Sequence, residues 1–156
     1  MAETKNVAED LVQRDMTLMY NFRFWSLTLL RVFLGILFTY HGFLRLFVPS
    51  NLAGSAVYFA KVGIPFASAS SFLFGVVELV GGLLILIGLF ARWSAFVLML
   101  EMIFIFFWVH LKNGFLLSAN GYEFVLVLTA ALLFVLVNGA GHLSLGKMIH
   151  KIKNEF

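Results

Sequence analysis

Four long apolar stretches dominate this chain and decide what kind of fold it can adopt. They cover residues 25–48, 68–90, 93–111 and 122–138, and short polar or glycine-rich links separate them. A bilayer core of about 30 Å is spanned by about 20 helical residues, a length that the first three stretches reach and the fourth approaches. Strands that span lipid must close into a barrel and alternate polar with apolar residues, unlike these continuous runs. The sequence therefore predicts an all-α fold, an integral membrane four-helix bundle.

The composition agrees with a protein whose solvent is largely lipid. Hydrophobic residues make up 62% of the 156 residues and charged residues 12%, whereas soluble domains average about 45–50% and about 25%. The chain has no cysteine, which excludes thiolate chemistry and iron–sulfur ligation by its own side chains. Nothing in the sequence indicates a metal or haem site either. Any redox role therefore needs a bound cofactor or a partner protein.

Lysine and arginine residues predict the orientation of the bundle. Most of them fall on one side of a four-span arrangement: Lys5, Arg14, Arg23, Arg92, Lys147, Lys151 and Lys153. The positive-inside rule then places both termini in the cytoplasm. The net charge of +3 is better explained by this orientation and by contact with anionic headgroups than by nucleic-acid binding. We expect a cytoplasmic or interfacial helix in residues 1–23, a transmembrane domain in 24–146 and a basic cytoplasmic tail in 147–156.

Three charged residues are expected to meet near the middle of the membrane. From the rise of a helix, Arg31 lies about 8–9 Å, Glu101 about 12 Å and Glu78 about 18 Å from the inner ends of their spans. A charge in hydrocarbon is costly unless it is paired, so the arginine and the two carboxyls predict a buried ion network. Such a network either fixes helix packing or serves a quinone headgroup or proton relay.

A second polar layer is expected toward the outer face of the membrane. Its members lie within about two helical turns of that boundary: His41, Arg45, His110, Asn113, Tyr122 and Glu123. Together they predict a pocket for a quinone headgroup or small anion, because histidine exchanges a proton near neutral pH and arginine favours negative charge. The alternative is that they are separate snorkelling or capping groups. A metal bound by the two histidines and Glu123 is disfavoured, because three residues on three helices show no ligand spacing.

From about Arg31 to Leu145 the chain resembles the DoxX family of four-helix bacterial membrane proteins. The resemblance rests on an ordered set of motifs: Arg31-x-x-x-Gly35, Gly42-x-x-Arg45-Leu46, Gly63-x-Pro65, Gly75-x-x-Glu78-x-x-Gly81-Gly82, His110-x-x-Asn113-Gly114-Phe115, Gly121-Tyr122-Glu123 and Gly139-Ala140-Gly141-His142-x-Ser144-Leu145. The chain departs from the pattern at Arg45, where lysine is common, and at Ala140, His142 and Gly146 in the closing motif.

The resemblance implies redox partnership in a bacterial inner membrane, because one branch of the family is similar to the small subunits of thiosulfate:quinone oxidoreductase. The first hypothesis is therefore a quinone-linked subunit of a membrane redox complex, with quinone as a possible cofactor and a redox partner protein as electron donor. The alternatives are a non-catalytic scaffold or assembly factor for a peripheral partner and a small transporter. Lipids are expected partners in each case, and glycine stripes in the spans permit a homo-oligomer.

Overall fold

Five α-helices follow one another in the part of the chain that the structure describes. This computed structural model describes the backbone of residues 2–141, 143–146, 148 and 149, and the side chains of these residues except 2–11, 21 and 24. The helices are α1 (Ala2–Phe47), α2 (Pro49–Lys61), α3 (Ala67–Ile87), α4 (Ala91–Ile105) and α5 (Glu123–Asn138). A π-helical turn (Phe106–His110) and a 3₁₀ turn (Leu111–Asn113) extend α4, and a second 3₁₀ turn (Leu117–Ala119) precedes α5.

Three of these helical segments are long and apolar enough to cross a membrane. They are Val12–Phe47, Ala67–Ile87 and Ala91–Asn113, while α5 is a shorter apolar helix. Helices α1, α3, α4 and α5 pack in that order, and α5 returns to contact α1. Their shared core includes Leu34, Phe38, Ile85, Leu98 and Leu132. The prediction of an all-α membrane bundle is confirmed.

The first span differs from its predicted bounds. Helix α1 is 46 residues long and its candidate membrane span begins at Val12, so residues 2–23 belong to the same helix as the first span instead of forming a separate one. The cytoplasmic location of this extension and of both termini stays a prediction. Most of the predicted basic tail, residue 147 and residues 150–156, lies outside the described residues.

Glycines allow α1 and α3 to pack antiparallel at very short distance. Gly35 of α1 faces Leu86 of α3, and Gly42, seven residues later, faces Leu79, seven residues earlier. A Cβ atom on Gly42 would lie 2.3 Å from the Leu79 nitrogen, closer than any real contact. Small residues permit such backbone contact between helices in lipid. This contact fixes which side chains of α1 and α3 meet.

The two ends of the bundle are closed in different ways. At the proximal end, which carries Gly88, Arg92 and Gly139, α3 turns directly into α4 through Gly88 at φ +73°. At the distal end, which carries residues 111–122, helix α2 packs on α3. Pro49 starts α2, where a missing N–H costs nothing. The sequence suggests that the segment around Tyr58 re-enters the interface; in the structure it is helical and buries Phe59.

Candidate functional site

A buried ion pair joins α1 to α3. Arg45 donates a hydrogen bond from Nη2 to Glu78 Oε1 at 3.0 Å, and the side chains are 19% and 5% exposed. Gly75, one turn before Glu78, makes room for the arginine, because a Cβ there would lie 3.2 Å from Arg45 Cδ. The guanidinium also lies over the Phe59 ring, 5.6 Å from its centroid. Helices α3 and α2 therefore hold this arginine in place.

A second carboxyl completes this group from α4. Glu101 is 6% exposed and interacts electrostatically with Glu78 and Arg45. Neither Glu101 oxygen has a hydrogen-bond partner among the described residues. One guanidinium and two carboxyls are electrically neutral only when one carboxyl holds a proton. We call Arg45, Glu78 and Glu101 the central cluster.

Glu101 also lines a groove between α3 and α4. The groove has a volume of about 430 Å³ and is walled mainly by apolar side chains, including Leu73, Phe74, Val77 and Phe104. The Phe74 and Phe104 rings meet edge to face, 5.6 Å apart. A neighbouring cavity of about 310 Å³ shares Val77 and Val97 with it and extends toward Phe90 and Trp93. Together they form a long apolar track, the α3–α4 groove, in which Glu101 is the ionisable group.

Arg31 lies elsewhere, so the predicted network of Arg31, Glu78 and Glu101 needs correction. Its Nη1 donates to the carbonyl oxygens of Ile85 and Leu86 at 2.8 and 2.9 Å, and its Nη2 donates to the Leu143 carbonyl. The last carbonyls of a helix have no partner within the helix, and α3 ends here at Gly88. Arg31 therefore caps α3 and ties residue 143 to the bundle, while Arg45 is the partner of the carboxyls.

The predicted outer pocket is only partly assembled. His110 Nδ1 lies 2.7 Å from the Asn120 carbonyl, and Asn113 Nδ2 donates to the same carbonyl at 3.1 Å. The Tyr122 ring packs against Phe106, with centroids 5.1 Å apart. These three residues thus hold the distal loop closed rather than lining an open pocket.

Of the other three predicted pocket residues, Arg45 and His41 lie apart from this loop, whereas Glu123 follows it directly and donates from its backbone N–H to the Phe115 carbonyl at 3.0 Å. Arg45 belongs to the central cluster. His41 is exposed on α1, and Glu123 is half-buried at the start of α5. Glu101 and His110, nine residues apart, belong to different groups as expected, and His110 is the last residue of the π-helical turn Phe106–His110.

The sequence reasoning missed two contributors. Asn120, in the left-handed region at φ +59°, donates to the Tyr58 hydroxyl at 2.9 Å and links the distal loop to α2. The aromatic wall of the α3–α4 groove was also missed. A signal was present, because Phe74 precedes Glu78 by four residues and Phe104 follows Glu101 by three, which places each ring on the same helix face as its carboxyl.

Comparison with known proteins gives consistent matches. Residues 26–111 match the sequence model of the DoxX family. An uncharacterised protein of Haemophilus influenzae is 32% identical over 83% of this chain and 95% of its own length. A Bacillus subtilis protein named "putative oxidoreductase CatD" is 30% identical over 80% and 87%, and an uncharacterised membrane protein of Mycobacterium tuberculosis is 29% identical over 81% and 82%. No solved structure matches significantly.

Proposed function

This chain belongs to the DoxX family of membrane proteins, and we propose that it is a quinone-linked subunit of a bacterial inner-membrane redox complex. One observation carries the proposal: the buried Glu101 carboxyl has no hydrogen-bond partner among the described residues and lines an apolar groove. Leu73 and Leu100 in the groove wall are 57% and 48% exposed, so the groove is accessible from lipid. Intramembrane carboxyls of this kind usually mark a ligand or proton pathway.

The α3–α4 groove fits the chemistry of a quinone. Ligand pockets are mostly apolar, with a few polar groups that fix orientation. Phe74 and Phe104 offer aromatic rings against which a planar quinone ring can pack. The track toward Phe90 and Trp93 suits an isoprenoid tail. A quinone bound there would supply the two-electron, two-proton chemistry that the side chains of this chain lack.

Glu101 is the residue that would handle the proton. In its protonated form the carboxyl donates a hydrogen bond to a carbonyl oxygen, and in its ionised form it accepts one from a hydroxyl. Arg45 and Glu78 bring opposite charges to the neighbourhood of this carboxyl. The central cluster thus provides a group that can hold or release one proton beside the ligand.

Electrons would come from a partner protein. The chain has no cysteine, and among the described residues no group of three His, Asp or Glu side chains is placed to hold a metal ion. The name of the Bacillus subtilis relative, "putative oxidoreductase CatD", supports a redox role in general and no particular substrate.

Quinone binding by purified protein tests the proposal. The chain is reconstituted in lipid nanodiscs, titrated with decylubiquinone and with a menaquinone, and bound quinone is extracted and measured by chromatography. We expect Glu101→Leu to weaken binding about tenfold, the effect of losing one hydrogen bond to a charged or polar partner. Glu123→Leu is the matched control, because that carboxyl is half-buried on α5 outside the groove, and it should bind as the unmodified chain does. Absence of saturable binding, or loss only in the Glu123 variant, would contradict the proposal.

A membrane scaffold is the second candidate. Its support is the part of α1 that precedes residue 24, where Met16, Met19 and Phe22 are 65%, 72% and 77% exposed. These residues lie in the candidate membrane span Val12–Phe47, so their exposed apolar side chains offer a surface to lipid or to a partner helix. A scaffold predicts that deleting residues 2–23 removes a partner from the purified complex while quinone binding is unchanged.

A further inference from the structure

The proximal end of the bundle contains a polar cavity that the proposed redox function does not use. Its volume is about 390 Å³, and it lies between the turn joining α3 to α4 and the chain that follows α5. Arg92, Trp93, Asn138 and Ser144 contribute to its walls. Unlike the α3–α4 groove, it is lined by several polar side chains and several glycines.

Charge in and around this cavity is positive. Arg92 is exposed and donates from Nη2 to the Val137 carbonyl at 3.3 Å. Gly139 makes room for it, because a Cβ there would lie 3.1 Å from Arg92 Nε. Arg23 approaches the same residues from α1 and donates to Asn138 Oδ1 at 2.9 Å. Among the described residues, no aspartate or glutamate lines the cavity, so its chemistry favours an anion.

An apolar surface continues from the cavity along the outside of the bundle. A second cavity of about 460 Å³ is lined by Arg92, Trp93, Phe96 and Leu136, and thus shares Arg92 and Trp93 with the first. Trp93 and Phe96 are 71% and 38% exposed, on the side of α4 that faces lipid. A free inorganic anion would not bind to this apolar surface, whereas the acyl chain of a lipid would cover it.

We propose that this pair of cavities binds one anionic phospholipid, with its phosphate at Arg92 and an acyl chain along Trp93, Phe96 and Leu136. Basic pockets between membrane helices bind acidic headgroups in this way, and tryptophan is favoured at the headgroup level. The site shares Phe90 and Trp93 with the far end of the α3–α4 groove. Its charged residue is Arg92, however, whereas that of the groove is Glu101, so the lipid assignment does not depend on quinone binding.

Lipid retention by the purified full chain tests this site. The protein in neutral detergent is titrated with phosphatidylglycerol or with phosphatidylcholine of the same acyl chains, and bound lipid is counted by native mass spectrometry. We expect phosphatidylglycerol to be preferred, and Arg92→Gln to weaken its binding about tenfold, since the variant removes charge-assisted hydrogen bonds to phosphate. Arg14→Gln removes an exposed arginine of α1 outside the cavity and should leave the preference intact.

Two further arms keep the test decisive. Asn138→Asp keeps the side-chain size and the oxygen that accepts from Arg23, although it loses the bond from Nδ2 to the Phe134 carbonyl. It adds negative charge to the cavity, so it should also lower phosphatidylglycerol binding even if Arg92→Gln fails to fold. Inorganic phosphate at the same concentration should not displace the lipid. Equal binding of the two lipids, an unchanged preference in Asn138→Asp, or full displacement by inorganic phosphate would overturn the lipid assignment.

Discussion

The partner of Glu78 can be identified by measuring coupling energies. In the structure Arg45 donates to Glu78 at 3.0 Å, whereas Arg31 donates to carbonyls of α3. The depth of each residue in the membrane, estimated from the sequence alone, instead pairs Glu78 with Arg31. Two double-mutant cycles separate these arrangements: Arg45→Met with Glu78→Gln, and Arg31→Met with Glu78→Gln.

The expected magnitudes follow from burial and charge. At 3.0 Å and an effective dielectric constant of about 20, the gross attraction of the Arg45–Glu78 pair is about 5–6 kcal/mol, most of which offsets desolvation. Arg45→Met leaves two buried carboxyls without a cation and should lower the free energy of unfolding by about 3–5 kcal/mol. Glu78→Gln should cost less, about 1–2 kcal/mol, because Arg45 still interacts with Glu101. The coupling between Arg45 and Glu78 should therefore be about 2 kcal/mol.

Reversible unfolding in mixed detergent and dodecyl sulfate micelles, followed by circular dichroism, measures these energies. Arg31→Met and Glu78→Gln should be additive to within about 0.5 kcal/mol, because they share no partner. If Arg31 couples to Glu78 and Arg45 does not, the assignment of the central cluster is refuted.

The remaining predictions concern packing and closure of the bundle, and the same unfolding assay measures them. Gly42→Ala should lower the free energy of unfolding by about 2–3 kcal/mol, because its Cβ would collide with the Leu79 backbone. The control is Gly54→Ala in α2, where no atom lies within 4 Å of a new Cβ, and it should be neutral or slightly stabilising. Equal losses in the two variants would refute the close α1–α3 contact. Arg31→Met should cost about 3 kcal/mol or more and make the chain after residue 139 accessible to protease; unchanged cleavage would contradict the role of Arg31 as a clamp. Asn120→Gly keeps the left-handed backbone but loses the bond to Tyr58, so it should cost about 1 kcal/mol and show no added loss when combined with Tyr58→Phe.

The sequence predicted the fold well because lipid imposes simple rules. Helix length against bilayer thickness located the spans, and continuous apolar runs excluded a barrel. Glycine spacing indicated where helices approach. These signals depend on one dimension, the distance along each helix, which a sequence gives directly.

The site was predicted less well because it depends on direction around each helix. Arg31 was placed at a plausible depth, but the carbonyls at the end of α3 compete for its donors, and backbone partners do not show in a pattern of charged residues. Arg45 reaches Glu78 beside Gly75, a detail of packing. His110 likewise binds the Asn120 carbonyl, a partner set by the distal loop.

Helix α5 has a consequence for the membrane around this protein. Its 16 residues rise about 24 Å, about 6 Å less than the hydrocarbon thickness of an average bilayer. Its ends carry polar groups, Glu123 and Asn138, which resist burial in acyl chains. If α5 crosses the bilayer, we expect the bilayer to be thinner beside α5 than beside α1. Because of this hydrophobic mismatch, the length of the lipid acyl chains should affect α5 before it affects the longer helices.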